Sequence, residues 1–467
     1  MNFIGLCLIG ITSFVLAGNI SIPDPQLKAY LVSQYDTNMD GEISTAEAAS
    51  VTGNLSLANR GISDLTGVEH FTQISRLYCN QNQLTQLPDL SNLDLLERLY
   101  CYSNQITSLP NLSGCASLIL LSASNNPFAT LPALPPTIQS IWCTNSQIQT
   151  LPSLAGYTQL TSLYCYQTPL TSLSALPNSL VSLDCHNAQL TFLPDLSNLT
   201  QLTQLDIRGN QLSSIPGIQN LTQLQYLNMS RNQFTNLPNV SGLSQLWDIS
   251  CAHNQITGGY VLSGMTGLRQ LDLSYNLMTQ FSLNLPAMES LDLSGNLLTA
   301  MPNMNLLPSI EGLYLDDNLI ESVPVLPMLS ELYYLGLNHN RISVFGDQSH
   351  LPALEEIALS HNRLTVAPDV TTYPLLSVLD LSNNLLVDVP QPSTNLSTIY
   401  LERNYLSESH CMALQDLDTA GIEVHYQPQG NLYDLYDQLA WWPAPGLLQQ
   451  WVEDCNNGDM YYDLQCE

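Results

Sequence analysis

The chain has 467 residues, of which 10 are Lys or Arg and 40 are Asp or Glu, giving a formal charge of −30. That balance argues against nucleic acid or an anionic membrane surface as partner, since both are held by basic contacts, and leaves a basic partner or divalent ions as better candidates. This length would ordinarily imply two or three globular domains, yet only 11% of residues are charged and 45% are hydrophobic.

Residues 1–18 hold an apolar run from Ile4 to Ala17 that closes on the small residues Ala17 and Gly18. The run is too short to span a bilayer and reads as a signal peptide, although no Lys or Arg precedes it. Asn19 stands where a lipoprotein signal would need cysteine. No second apolar run occurs, so no membrane span is expected, and the protein is expected outside the cell, secreted or loosely attached to its surface.

Residues 19–53 read as an N-terminal cap. Asp24 and Pro25 have the residue types of an N-cap and first helical position, and Leu27, Tyr30 and Leu31 share one apolar face. Then comes the sharpest local motif, Asp36, Asn38, Asp40, Gly41, Glu42, Ile43, Ser44 and Glu47, which matches the twelve-residue EF-hand calcium loop at each diagnostic position. Six to eight hard oxygens are needed. Asp36, Asn38, Asp40, the Glu42 carbonyl, Ser44 through water and a bidentate Glu47 supply them, while Gly41 permits the bend and Ile43 anchors the loop. A single loop before a repeat array suggests structural calcium that stiffens the cap in place of a sensor; a solvated acidic turn is the plainer alternative.

From residue 54 to 406 one frame recurs, LxxLxLxxNxL, as in Leu77, Cys79, Asn82 and Leu84, and again in Ile399, Leu401, Asn404 and Leu406. The asparagine slot falls at 82, 104, 126, 146, 168, 188, 210, 232, 254, 276, 296, 318, 340, 362, 384 and 404, in steps of 22 with four of 20. One turn earlier Arg60 fills it, giving about 17 turns, and such a period means a solenoid. Each turn is one short strand plus a loop that cannot bury its apolar side alone, so stacked neighbours bury it for one another. The slot amide both donates and accepts, and can satisfy backbone groups that the bend would otherwise bury unpaired. The pairs Leu87-Pro88, Leu109-Pro110 and Val323-Pro324 leave little room for a convex α-helix, because proline has no amide hydrogen.

These residues resemble the leucine-rich-repeat superfamily, and the short proline-marked turns are similar to those of bacterial secreted and surface members such as internalins. The resemblance implies an α/β repeat fold: a right-handed leucine-rich-repeat solenoid with a concave parallel β-sheet and short 3₁₀ or extended convex segments, capped at both ends. It also implies use of the concave face to bind other macromolecules, and a calcium-bearing start is common among similar secreted bacterial repeat proteins.

Cys79, Cys101, Cys143, Cys165, Cys185 and Cys251 occupy the second apolar strand position and Cys115 a leucine position of the return path, which makes them packing groups. On the concave face the outward column is aromatic at first, with Tyr78, Tyr100, Trp142 and Tyr164, thickened by Tyr102 and Tyr166, and acidic in the middle, where the stretch runs through Asp184, Asp206, Asp248, Asp272 and Asp292 with Asp316 and Asp317. The aromatic patch suits a sugar ring or an apolar anchor, against the alternative that aromatics merely pair well across strands. Ser146, Thr168 and Ala188 are consecutive departures from the slot asparagine at that end and suggest locally altered curvature. The acidic stretch suits a basic partner, calcium or simple solvation, and Asp317, His339 and His361 share one outward position that admits a metal reading.

Residues 407–467 lack the frame and read as a C-terminal cap. Helices are expected at 412–417 and 432–439 and a last strand at 422–426, with Trp441, Trp442 and Trp451 as cap core and Cys455–Cys466 as the expected disulfide, leaving Cys411 buried or otherwise paired. No phosphate loop, nucleophile elbow or paired-histidine zinc motif occurs, so no enzyme is expected. The sequence therefore points to a secreted or surface monomer that binds a protein or glycan on its concave face, with a structural spacer as the alternative.

Overall fold

The computed structural model describes residues 18–258, 262, 264–427 and 429. It is a parallel-sheet solenoid of about 17 turns. The chain divides into two compact units, Met1–Gln189 and Leu190–Glu467. The expected signal peptide, the helix at 432–439, the three tryptophans and the Cys455–Cys466 pair lie outside the described residues.

The first unit opens with the cap. Helix α1, Pro25–Tyr35, starts where Asp24 accepts from the amides of Gln26 and Leu27, both at 2.9 Å. It buries Leu27 and Leu31, while Tyr30 lies beneath the Arg60 guanidinium at 3.6 Å. Helix α2, Thr45–Ser50, is opened by Ser44 and Glu47, each side chain bonding the other's backbone amide in a capping box. Seven parallel strands follow among the described residues of this unit, from Gly53–Ser56 to Ser182–Asp184. After a register shift at Gly53–Asn54 the pairing is continuous, so that Tyr78, Tyr100, Ser122, Trp142, Tyr164 and Asp184 stand side by side across consecutive strands.

The second unit repeats the plan from Gln204–Asp206 to Thr398–Tyr400. Its last strand, Glu423–His425, pairs with Thr398–Tyr400 after helix α3, Cys411–Thr419, so the expected elements at 412–417 and 422–426 are present. Cys411 is disulfide-bonded. The return side carries turns and 3₁₀ pieces such as Ile218–Asn220 and Met304–Leu306, and one small parallel pair, Ser322–Val323 with Val344–Phe345. Among the described residues, proline and tight spacing leave no α-helix there.

The slot asparagines join turn to turn. The Asn126 amide donates to the carbonyls of Cys101, Ala123 and Ser124 at 3.0, 3.0 and 3.2 Å and accepts from the Ile106 amide at 2.9 Å. One side chain thus satisfies its own bend and the preceding turn. At the departures the bonding thins: Ser146 and Thr168 each make one bond, to the carbonyls of Cys143 and Cys165, and Ala188 has no polar atom. Register persists there from Trp142 to Asp184, and the first unit ends at Gln189. The residue before each slot is left-handed, for example Ser103 at φ 55°, Tyr275 at 53° and His361 at 54°, a conformation that the paired backbone imposes on side chains that disfavour it.

Candidate functional site

Within the calcium-loop sequence the chain turns through Met39 at φ 62° and Gly41 at φ 81°. Asp36 accepts from the amides of Met39 and Gly41 at 2.7 and 2.8 Å, Asn38 from Asp40, and Asp40 from Glu42, both at 2.9 Å. Glu47 reaches back: its Oε1 accepts from the Thr37 amide and hydroxyl at 2.8 Å, its Oε2 from the Ser44 amide and hydroxyl at 2.9 and 2.8 Å. The backbone bond from Ser44, against the opposing effect of burial, holds the Glu47 carboxyl down to about 2. The Glu42 side chain pairs with Lys28, the chain's one lysine, at 2.6 Å, leaving its carbonyl for the loop.

The structure brings Asp36, Asn38 and Asp40 onto one tight loop, while the carboxylates of Asp36, Asp40 and Glu47 do not all close to within 4.8 Å of one another. The donor set is all oxygen, and the Asp36, Asn38 and Asp40 oxygens each keep a lone pair beyond their present bond, so they fit a hard cation; both Glu47 oxygens are already filled by bonds from Thr37, Asn38 and Ser44, some of which a cation would have to displace. Ile43 is fully buried. The loop is also clamped from outside: the Ile20 amide donates to the Ile43 carbonyl at 2.8 Å, and Asn19 bridges Ser44 antiparallel. The segment after Gly18 thus braces the loop, which the sequence motif gave no sign of.

Asp24 ties the cap to the repeats. Beyond capping α1, its Oδ2 accepts from the amide and hydroxyl of Ser63 at 2.7 and 2.8 Å. Burial would raise its carboxyl, but the bonds from Leu27, Ser63 and Asp64 win and hold it below its ordinary value. Gly67, at φ 107°, lets Ile20 and Ile22 close over the first turn; a Cβ there would lie 2.9 Å from the Ile22 side chain.

On the sheet face of the first unit the rings of Tyr78 and Tyr100 stack at 4.7 Å and 2°, and those of Trp142 and Tyr164 meet at 4.7 Å and 49°. Ser122 separates the two pairs. Trp142 is 42% exposed and its indole nitrogen donates to Ser140 Oγ at 2.8 Å. In the next column Tyr166 stacks on His186 at 4.2 Å, His186 pairs with Asp184 at 2.6 Å, and Tyr102 stands alongside Asn80. All six aromatic candidates therefore share one face, in two neighbouring columns.

The acidic stretch divides differently. Asp272 and Asp292 are register partners, whereas Asp248 pairs with Gln270 in another column and Asp316 lies beyond the strand. Asp272 and Asp292 each accept from a backbone amide two residues on, Ser274 and Ser294, at 2.9 Å, as Asp380 does from Ser382. These aspartates finish their strands before the left-handed residue, a structural role missed in the sequence. Burial raises Asp292, with Asp272 and Asp316 adding to it. His339 and His361 stack at 4.0 Å and 16°; parallel rings send their nitrogen lone pairs side by side, so the two do not converge on a metal. The seven described thiols are buried, and burial pushes Cys101 and Cys143 up to about 12, which makes those two inert packing groups.

The stacked strand-and-return turns, with asparagine bonded between turns, have the fold of a leucine-rich-repeat solenoid. Residues 200–244 match the family model for leucine-rich repeats in two copies. Among solved structures, the functional domain of InlJ from Listeria monocytogenes, described as including a cysteine ladder, is 22% identical over 84% of each chain with a TM-score of 0.67. A leucine-rich-repeat protein of Leptospira interrogans is 24% identical over 81% of this chain and 97% of its own, at 0.64. The plant peptide hormone receptor RGFR1, solved in complex with RGF2, is 23% identical over 77% of this chain and 69% of its own, at 0.57. No curated protein matches the sequence. Among the described residues no helix is long and apolar enough to cross a membrane.

Proposed function

We propose that the chain is an exported binding protein whose sheet face, in the first unit, recognises a protein or glycan partner through Tyr78, Tyr100, Tyr102, Trp142, Tyr164 and Tyr166. The observation that carries this reading is the aromatic column itself. Its strands have their backbone hydrogen bonds satisfied within the sheet, so the rings are free of any folding duty at their outer edges, and the half-exposed Trp142 offers an indole that no core requires. Aromatic faces over a rigid sheet give contact area at little entropic cost. Similar folds that hold a peptide hormone support partner binding. Catalysis forms no part of this reading.

The cap is proposed to hold one calcium ion, with Asp36, Asn38, Asp40, the Glu42 carbonyl, Ser44 through water and Glu47 as ligands. Calcium would supply charge neutralisation for a loop that carries three carboxylates, and would thereby stiffen the end of the array. Replacing Tyr100, Trp142 and Tyr164 by alanine and measuring retention on glycan and protein arrays tests the binding face. Loss of retention by a folded variant supports it; unchanged retention favours a spacer, for which the cross-strand stacking of Tyr78 and Tyr100 is stabilisation enough.

A further inference from the structure

Two of the chain's 10 basic residues, Arg76 and Arg98, are direct register partners on adjacent strands. Like charges placed opposite one another repel, and in a chain of charge −30 each would be expected to find a carboxylate. Three of the other eight basic side chains do: Lys28 pairs with Glu42, Arg208 with Asp206 and Arg269 with Glu289. Among the described residues neither Arg76 nor Arg98 forms an ion pair, and the Nε of both is buried without a hydrogen-bond partner. A guanidinium pair held together against its own repulsion, with no carboxylate of the described chain on it, is arranged for an anion that its outer nitrogens can reach. The planar fork suits a carboxylate or another flat oxyanion.

The neighbourhood says what carries the anion. Arg76 and Arg98 stand on the same face as Tyr78 and Tyr100, two residues away along each strand, a distance of about 6.6 Å. Tyr78 covers one face of the Tyr100 ring, so the other looks across Ser122 toward Trp142. Strands about 4.8 Å apart put these two rings about 9.6 Å from each other, room for one further ring about 4.8 Å from each. The floor of that slot is hydroxyl-bearing: Ser122, and Ser140 and Thr144 beside Trp142. Aromatic walls, hydroxyl floor and an arginine pair at one side match a sugar ring with a carboxylate attached better than a peptide, which would look for apolar pockets or free backbone groups.

We infer that the first unit binds uronate-bearing glycans, with one pyranose ring between Tyr100 and Trp142 and its carboxylate on Arg76 and Arg98. This deepens the binding-face reading and rests on it, and it reverses locally the basic partner that the net charge suggests.

The test uses the full chain and three uronate polymers, oligogalacturonate, alginate and hyaluronan, each beside its carboxyl-reduced neutral form. Wild type binds at least one acidic form about 10-fold or more tightly than its reduced form. R76Q/R98Q, which keeps most of each stem, binds the two forms alike. Equal binding of acidic and reduced forms by wild type, an unchanged preference in R76Q/R98Q, binding of none of the three, or tighter binding of a poly-glutamate peptide would each overturn the inference. W142A separates it from the broader reading: if W142A abolishes binding while R76Q/R98Q leaves the preference intact, only the acid assignment fails; if W142A changes nothing, the binding face itself fails.

Discussion

Asn318 gives the sharpest check on what holds the turns together. It is 4% exposed, and its amide donates to the carbonyls of Leu293, Leu315 and Asp316 at 2.9, 3.1 and 3.1 Å while accepting from the Leu298 amide at 3.0 Å. Three of these partners have a second bond: Leu293 with Asn296, Leu315 with Asn340, and Asp316 with the Gly295 amide. Only the Leu298 amide is orphaned by Asn318→Ala. An orphaned buried donor costs about 1–3 kcal/mol and each shared bond about 0.5 kcal/mol, so the loss is about 3 kcal/mol. Because a solenoid's stability is a sum of turn and neighbour terms, the loss should appear locally. Hydrogen exchange at Leu298 and Leu319 should accelerate about 100-fold, with turns farther away unaffected.

Asn318→Asp separates hydrogen bonding from shape. It keeps the acceptor for Leu298 but turns a carboxylate oxygen toward three carbonyls, so at pH 7 it should be at least as damaging as alanine. A carboxyl raised by that environment destabilises fully above its folded pKa and is relieved as pH falls through it, since the protonated acid donates one bond. The aspartate variant should therefore recover between pH 7 and pH 5 while the alanine variant stays flat. An aspartate variant as stable as wild type at pH 7 would refute the claim that the amide's donors carry the turn.

Calcium should raise the Tm of the cap, and Glu47→Gln or chelator should remove that rise; a chelator-insensitive wild type would remove calcium from the cap. Without calcium, Glu47's contribution is complete above the ordinary carboxylate range and fades as pH falls toward about 2, its depressed folded value, which acid-dependent exchange at Thr37 and Ser44 would register. Gly67→Ala forces a contact of 2.9 Å with Ile22 and a left-handed alanine, and should free the segment at residues 18–22 to early proteolysis while leaving later turns protected. Burial and the neighbouring His339 hold His361 below its ordinary value, so stability in that region is full above about pH 6.5 and lost as pH falls through the folded value. His339→Asn, which tolerates the left-handed backbone, should lessen that dependence in urea midpoints and leave the part that burial causes.

The sequence alone decided the repeat, its length and the inward set of leucines, because a period of 20 or 22 residues with a two-residue strand alternation leaves one way to bury the apolar side. It also located the helices around Pro25 and Ser44, where capping residues act within a few positions of themselves. Asn126 was readable as a bend residue from its recurrence.

What only tertiary structure decided is everything that depends on register between turns. Asn126 reaching the Cys101 carbonyl one turn back, Arg76 lying opposite Arg98, Tyr78 stacking on Tyr100, and Asp248 falling out of the column of Asp272 are all set by how adjacent strands slide against each other. Asn19 bracing Ser44 belongs to the same class. Spacing along a chain fixes which face a side chain takes. Which neighbour it meets there is fixed by hydrogen bonds between turns, where a shift of one residue would exchange core and surface.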